Sequence, residues 1–114
     1  MPQMTFPGRI RKPMAAGAAL LALCTGALGA DAEAGRSRYM LCASCHGGDG
    51  RSTVMPQYPK IAGQNAAYTV SALKAYKEGR RGGTFAALMA ETAKSLSEED
   101  MSNLAAYIAT LDSK

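Results

Sequence analysis

The sequence predicts a small all-α protein with a single domain. Its 114 residues, 47% of them hydrophobic, suit one compact domain and are too few for two of ordinary size. The apolar residues recur at intervals of three and four, which is the periodicity of helices, and no stretch alternates as a strand would. We therefore expect a bundle of short helices.

The first 30 residues have the layout of a secretory signal peptide. A basic segment precedes 18 uncharged residues, Pro13 to Ala30, and small residues follow at the expected cleavage site, between 29 and 32. A retained membrane anchor is the alternative, but so much Ala and Gly makes insertion weak. Cys24 is a poor lipid attachment site because Leu23 precedes it. We expect export to the periplasm, with residues 31–114 as the mature domain and membrane association only if the leader is retained.

The net charge of +4 belongs mainly to the leader. From Asp31 onward ten basic residues face nine acidic ones, which leaves +1. This balance offers no electrostatic case for binding nucleic acid.

Four helices are expected along the mature chain. The first runs from Asp31 to Leu41 and leads into a pair of cysteines, and the second is capped by Asn65 and ends at Gly79. Between them, residues 47–65 are rich in Gly and Pro and read as a loop. So long an irregular segment in a small domain requires something large to wrap around.

The third and fourth helices follow a turn at "RRGG". The segment "TFAALMAETAKS" places Phe85, Leu88 and Met89 on one side. Ser97 and Asp100 approximate a capping box that opens the last helix, from Glu98 to about Leu111. The apolar stripe of that helix contains Met101, Leu104, Ala105, Ile108 and Leu111.

The stretch "YMLCASCHGGDG" contains both remaining cysteines and the only histidine. Cys42, Cys45 and His46 form C-x-x-C-H, the spacing used to attach c-type haem covalently. Two thiols one turn apart can reach the two vinyl groups of a porphyrin, and the adjacent imidazole can then coordinate its iron. Gly47 and Gly48 let the backbone leave that crowded face.

Three other interpretations of the motif are open. A thioredoxin-like dithiol normally follows a strand, and this chain offers none. A zinc site needs about four ligands, and no second Cys or His pair is present in the mature chain. A disulfide between Cys42 and Cys45 would close too small a loop to stabilise much.

A second iron ligand would separate an electron carrier from an open haem site. Of the four methionines in the mature chain, Met40 and Met101 suit the core. Met89 is the first candidate because a helix and a glycine turn can bring it over the opposite face. Met55 is the second choice, since it follows His46 closely within the loop.

The segments "CASCHGGDGRS", "YPKIAGQNAAYTVSAL" and "LMAETAKSLSEEDMSNLAAYIATL" resemble class I cytochromes c, most of all the bacterial c553 and c4-type domains. The resemblance covers Gly35 to Leu111. It implies about four short helices around one covalently attached haem c. It also implies roles for particular residues: attachment at Cys42 and Cys45, iron ligation by His46 and Met89, and a hydrogen bond from His46 to the carbonyl of Pro59.

The same resemblance implies that the first and last helices cross, so that Gly35 and Tyr39 meet the face bearing Ala105 and Tyr107. It indicates a one-electron carrier rather than an enzyme, either free or as the haem subunit of a respiratory or dehydrogenase chain. The alternative is a ligand sensor or enzyme whose sixth iron position opens. Transient docking to redox partners is expected. Five cations form either an orienting patch or a solvated surface: Lys60, Lys74, Lys77, Arg80 and Arg81.

Overall fold

The computed structural model describes residues 29–114 and, ahead of them, the isolated residues Gly8, Pro13, Met14 and Gly17. Within this part there are five helices and no strand, which confirms the predicted all-α class. Most of the predicted signal peptide, including Cys24, lies outside the described residues. None of the described helices has the length and hydropathy needed to cross a bilayer. The helices are α1 Ala32–Arg38, α2 Met40–His46, α3 Ala66–Lys77, α4 Ala86–Lys94 and α5 Glu98–Thr110.

The predicted first helix is divided at Tyr39 and extends five residues further than the expected end at Leu41. The Tyr39 N–H lies near two carbonyls, 2.9 Å from that of Gly35 and 3.3 Å from that of Arg36. The Cys42 N–H then donates to the Tyr39 carbonyl at 2.8 Å, a three-residue spacing that tightens the turn. The cysteine pair and His46 therefore lie within a helix of their own.

Helices α1 and α5 cross in close contact at Gly35. A Cβ atom added there would lie 2.0 Å from the carbonyl oxygen of Asn103, so only glycine permits this approach. The backbone N–H of Asp31 donates to the Asn103 side chain at 2.8 Å, while the Asp31 carboxylate caps α1. The Tyr39 ring packs 5.2 Å from that of Tyr107. The predicted crossing is thus present.

The core lies where the end of α1 meets α5, and it is completed by α3 and by Leu96 in the connection between α4 and α5. Its buried side chains are Tyr39, Leu73, Leu96, Met101, Leu104 and Ile108. Met101 is 1% exposed, as predicted, but the prediction of a core position for Met40 is wrong, because that side chain is 74% exposed. Tyr39, Cys42 and Ala43 take the inward side of this turn, which leaves Met40 facing out.

The caps predicted for the other helices are formed. The Asn65 side chain accepts from the Tyr68 N–H at 3.1 Å at the start of α3. Ser97 and Asp100 make both hydrogen bonds of a capping box at the start of α5. These caps fix where α3 and α5 begin. Helix α3 contacts both α5 and α4.

Candidate functional site

Helix α2 carries the two thiols and the imidazole on a single stretch. Cys42 and Cys45 are separated by one turn, and both are half-buried free cysteines. The helix ends at Gly47, whose φ of 85° lies in the region that favours glycine, and a Cβ there would lie 2.5 Å from the Ser52 carbonyl oxygen. Gly48 has open space around it, so only the first of the two glycines is required by this geometry.

Burial raises the pKa of the Cys42 thiol to about 11, with a smaller contribution from the neighbouring Cys45. Thiol oxidoreductases need the opposite change, because their nucleophile is a thiolate stabilised by a lowered pKa. The absence of a preceding strand in the described residues points the same way. The pair does not have the features of a thioredoxin-like site.

His46 is buried, with 7% of its surface exposed, and its ring is anchored on one side. Its Nδ1 atom lies 2.8 Å from the carbonyl oxygen of Pro59. With the proton on Nδ1, this nitrogen donates to that carbonyl and Nε2 retains its lone pair. No hydrogen bond to Nε2 is found among residues 29–114, so this nitrogen is free to act as a ligand.

The loop of residues 47–65 positions the Pro59 carbonyl. The Asp49 carboxylate accepts from the backbone N–H groups of Arg51 and Ser52 and from the Ser52 hydroxyl, which folds the first turn. The Gly50 carbonyl then accepts from Ile61 and Ala62, and the Cys45 carbonyl accepts from Val54. Ahead of Pro59 the loop is therefore fastened to α2, and after Pro59 it is fastened back to its own first turn at Gly50.

A cavity of about 610 Å³ opens beside His46. Its walls come from α2, from the loop around Pro59, from α3 and from α4, and its floor includes Leu104 and Ile108 of α5. Aromatic and aliphatic side chains predominate among the remaining lining residues, and they include Leu41, Tyr58, Ile61, Tyr68, Leu73, Tyr76, Phe85 and Leu88.

The methionines predicted as ligands occupy different environments. Met89 is half-buried on α4 and lines the cavity together with His46, Cys42 and Cys45. Met55, the second choice, is 38% exposed and is not among the residues that line it. The cavity thus contains two thiols, an imidazole nitrogen and one thioether sulfur.

This set of donors fits haem c. The thiols on one helical turn suit thioether bonds, the nitrogen and the thioether sulfur suit iron, and the lining suits the apolar porphyrin. A zinc centre is not supported by the described residues, because they contain no group of three or more His, Cys, Asp or Glu side chains arranged to bind a metal.

Comparison with known proteins decides the family. The family model for cytochrome c matches residues 32–112. The chain belongs to the cytochrome c family. Members carry covalently bound haem c, and Cys42 and Cys45 of this cytochrome have the spacing of its attachment motif.

Individual relatives extend over nearly the whole domain of this cytochrome. It is 47% identical over 77 residues to cytochrome c-554(548) of Halomonas halodenitrificans, covering 68% of this chain and 92% of that protein. It is 43% identical over 90 residues to cytochrome c-554(547) of Halothiobacillus neapolitanus, covering 71% and 97%. The range matched by the family model, residues 32–112, spans all five helices of the described domain.

A solved structure shows the same fold. This cytochrome superposes on reduced recombinant cytochrome c4 from Pseudomonas stutzeri with a TM-score of 0.65 and 30% sequence identity. The match covers 71% of this chain and 48% of that one, so the cytochrome spans about half the length of that c4 chain. The predicted class I cytochrome c fold is confirmed.

Two features of the cavity were not predicted. Tyr58 and Phe85 meet edge to face with ring centroids 5.4 Å apart, which joins the Pro59 loop to the start of α4. Arg81 lies over the ring of Tyr76, with its Cζ atom 4.8 Å from the ring centroid, and both residues line the cavity. The only sign in the sequence of the Tyr58–Phe85 contact is that an aromatic residue directly precedes Pro59.

Proposed function

We propose that the protein is an exported one-electron carrier whose haem c is attached through Cys42 and Cys45 and ligated by His46 and Met89. The observation that carries this proposal is that His46 presents a free Nε2 in the same cavity as Met89 while Nδ1 lies against the Pro59 carbonyl. Haem bound there supplies the exchange of one electron between Fe(III) and Fe(II).

The Pro59 carbonyl has two effects on His46. By accepting a hydrogen bond from Nδ1–H, the carbonyl favours the tautomer with a lone pair on Nε2, and it fixes the orientation of the ring. It also makes Nε2 a stronger electron-pair donor toward a metal ion, because the hydrogen bond at Nδ1 increases the electron density of the imidazole. A ring held in this way has little to rearrange when the charge of the site changes.

The cavity walls supply an apolar environment. Leu73, Leu104 and Ile108 are buried, and they exclude water from one side of the cavity. An apolar enclosure disfavours the more highly charged oxidation state, which raises the reduction potential. With Met89 as a second protein ligand, the haem iron would have no open position for a substrate, so the proposed ligands would suit a carrier rather than an enzyme.

We propose cleavage of the leader near residues 29–32, release into the periplasm and a mature domain of residues 31–114. The hydrogen bonds of Asp31 to Asn103 and to the start of α1 support this boundary, because they make Asp31 part of the folded domain. Within the periplasm we propose brief docking to redox proteins of a respiratory or dehydrogenase chain, with no role for nucleic acid.

The experiment compares Met89→Ala with Met55→Ala in the purified holoprotein. Met89→Ala should abolish the iron–methionine charge-transfer absorption, lower the reduction potential and allow carbon monoxide to bind the reduced protein. Met55→Ala should change none of these. The proposal is overturned if Met89→Ala leaves the absorption and the potential intact, or if the reduced wild-type protein already binds carbon monoxide at its iron, as a sensor or enzyme would.

A further inference from the structure

The five cations predicted as a docking patch have different partners in the structure. Lys74 pairs with Glu98 at 3.1 Å, and Arg80 pairs with Glu78 at 2.5 Å. The Lys77 ammonium donates to the carbonyl oxygen of the buried Leu96. Lys60 and Arg81 remain, and no salt bridge from either is found among residues 29–114. These two cations also line the cavity, whereas the other three do not.

Arg81 differs from Lys60 in being held in place. Its guanidinium lies 4.8 Å from the centroid of the Tyr76 ring, and Tyr76 is half-buried in the same wall. A guanidinium stacked on a ring keeps its planar edge of N–H donors free for a carboxylate. Arg80, its neighbour in sequence, is directed to Glu78 instead. Among the described residues that line this largely apolar cavity, Arg81 is the one arginine, and it has no salt bridge within residues 29–114.

Haem c carries two carboxylates, its propionate groups, which an apolar cavity cannot accommodate without a partner. We infer that Arg81 binds a propionate of the cofactor, with the Tyr76 ring as the platform that orients its guanidinium. This inference rests on the proposed attachment of haem in this cavity. The other titratable side chains that line the cavity are Cys42, Cys45, His46, Tyr58, Lys60, Tyr68 and the Tyr76 platform itself, and the two cysteines would no longer titrate once they form thioether bonds to haem.

A guanidinium beside a propionate has two measurable effects. It favours the ionised carboxylate, since an opposite charge within about 4 to 6 Å lowers a carboxyl pKa by about 1 to 3 units. Its fixed positive charge also favours the less positively charged Fe(II) state. Loss of Arg81 should therefore lower the reduction potential and bring propionate ionisation into the accessible pH range.

The test measures the reduction potential against pH for the wild-type holoprotein, Arg81→Gln and Arg80→Gln. Both variants remove one positive charge from adjacent positions, so Arg80→Gln is a matched control for net charge. Arg81→Gln should lower the potential at neutral pH and shift the inflection of its pH dependence upward by about one unit or more. Arg80→Gln should keep the wild-type inflection. Arg81→Lys should recover part of the potential, since it retains the charge without the planar donors.

Equal curves for Arg81→Gln and Arg80→Gln would overturn the inference, as would a shifted inflection in Lys60→Gln in place of Arg81→Gln. These outcomes are distinct from failure of the proposed function. If the proposed function is wrong, the wild-type protein itself lacks attached haem or the iron–methionine absorption. The resonance Raman propionate bending band gives an independent readout, which should move in Arg81→Gln and not in Arg80→Gln.

Discussion

The α-carbon of Gly35 faces the backbone of Asn103 so closely that a methyl group on it would lie 2.0 Å from the Asn103 carbonyl oxygen. The obstacle is backbone on α5, and backbone cannot rotate away as a flexible side chain can. The contact fixes how α1 crosses α5 and, through Tyr39, where α2 begins. The position of the thiols and of His46 therefore depends on a residue that lacks a side chain.

Gly35→Ala should destabilise the holoprotein by about 2 to 3 kcal/mol, because the added methyl forces the two helices apart. Gly48→Ala is the control, since no atom lies within 4 Å of the added Cβ and its φ is not positive. Guanidinium unfolding followed by circular dichroism measures both. Equal stability of the two variants would contradict the close crossing.

Tyr39→Phe should cost about 1 to 2 kcal/mol, because it leaves the buried carbonyl of Gly47 without its donor. The Tyr39 hydroxyl donates to that carbonyl at 2.7 Å, and burial raises the Tyr39 pKa from 10 to about 12. A raised folded-state pKa means that this contribution is complete below about pH 10 and is lost as pH rises through about 12.

The measurement is the unfolding free energy at neutral pH and at pH near 11. The difference between wild type and Tyr39→Phe should shrink at the higher pH. Tyr107→Phe serves as the control, because no hydrogen bond of the Tyr107 hydroxyl is found in the described part of the chain, although its ring packs against Tyr39. A constant difference across this pH range would mean that Tyr39 does not ionise as expected.

The helix caps and the attachment motif were predictable because each is encoded within a few residues. Asn65 caps its own helix, and Ser97 with Asp100 forms a box within one turn. The outward position of Met40 was not predictable, since the inward side of α2 is set by the crossing of α1 and α5. The ion-pair partner of Lys74 was not predictable either, because tertiary packing brings Lys74 and Glu98 together from two different helices.

Asp49→Asn should weaken the dependence of stability on acid. The Asp49 pKa is held well below its usual range, first by the Ser52 hydrogen bonds and then by the Arg51 N–H. A lowered folded-state pKa stabilises the protein above the ordinary value of about 4 and loses this contribution as pH falls further. The slope of unfolding free energy between about pH 5 and pH 2 should therefore be shallower in Asp49→Asn.

Part of the acid dependence should remain in that variant, because the Asp100 pKa is also lowered, chiefly by the Ser97 N–H and further by Arg38. Asp112→Asn is the control. Its carboxylate accepts only from the Lys114 N–H near the end of the chain, so the slope should stay that of the wild type. An unchanged slope in Asp49→Asn would contradict a lowered pKa of Asp49 in the folded protein.

Removal of both attachment thiols should prevent folding. In Cys42→Ala/Cys45→Ala no covalent haem forms, and a cavity of about 610 Å³ has lost its content. The apolar walls that haem would cover are then exposed to water, and a domain of about 84 residues has little net stability with which to offset that loss. We expect loss of most helical circular dichroism and of the cooperative thermal transition. Ser44→Ala lies on the same turn at an exposed position and should keep both. A double variant with native helicity and cooperative unfolding would show that the six buried core side chains suffice without the cofactor.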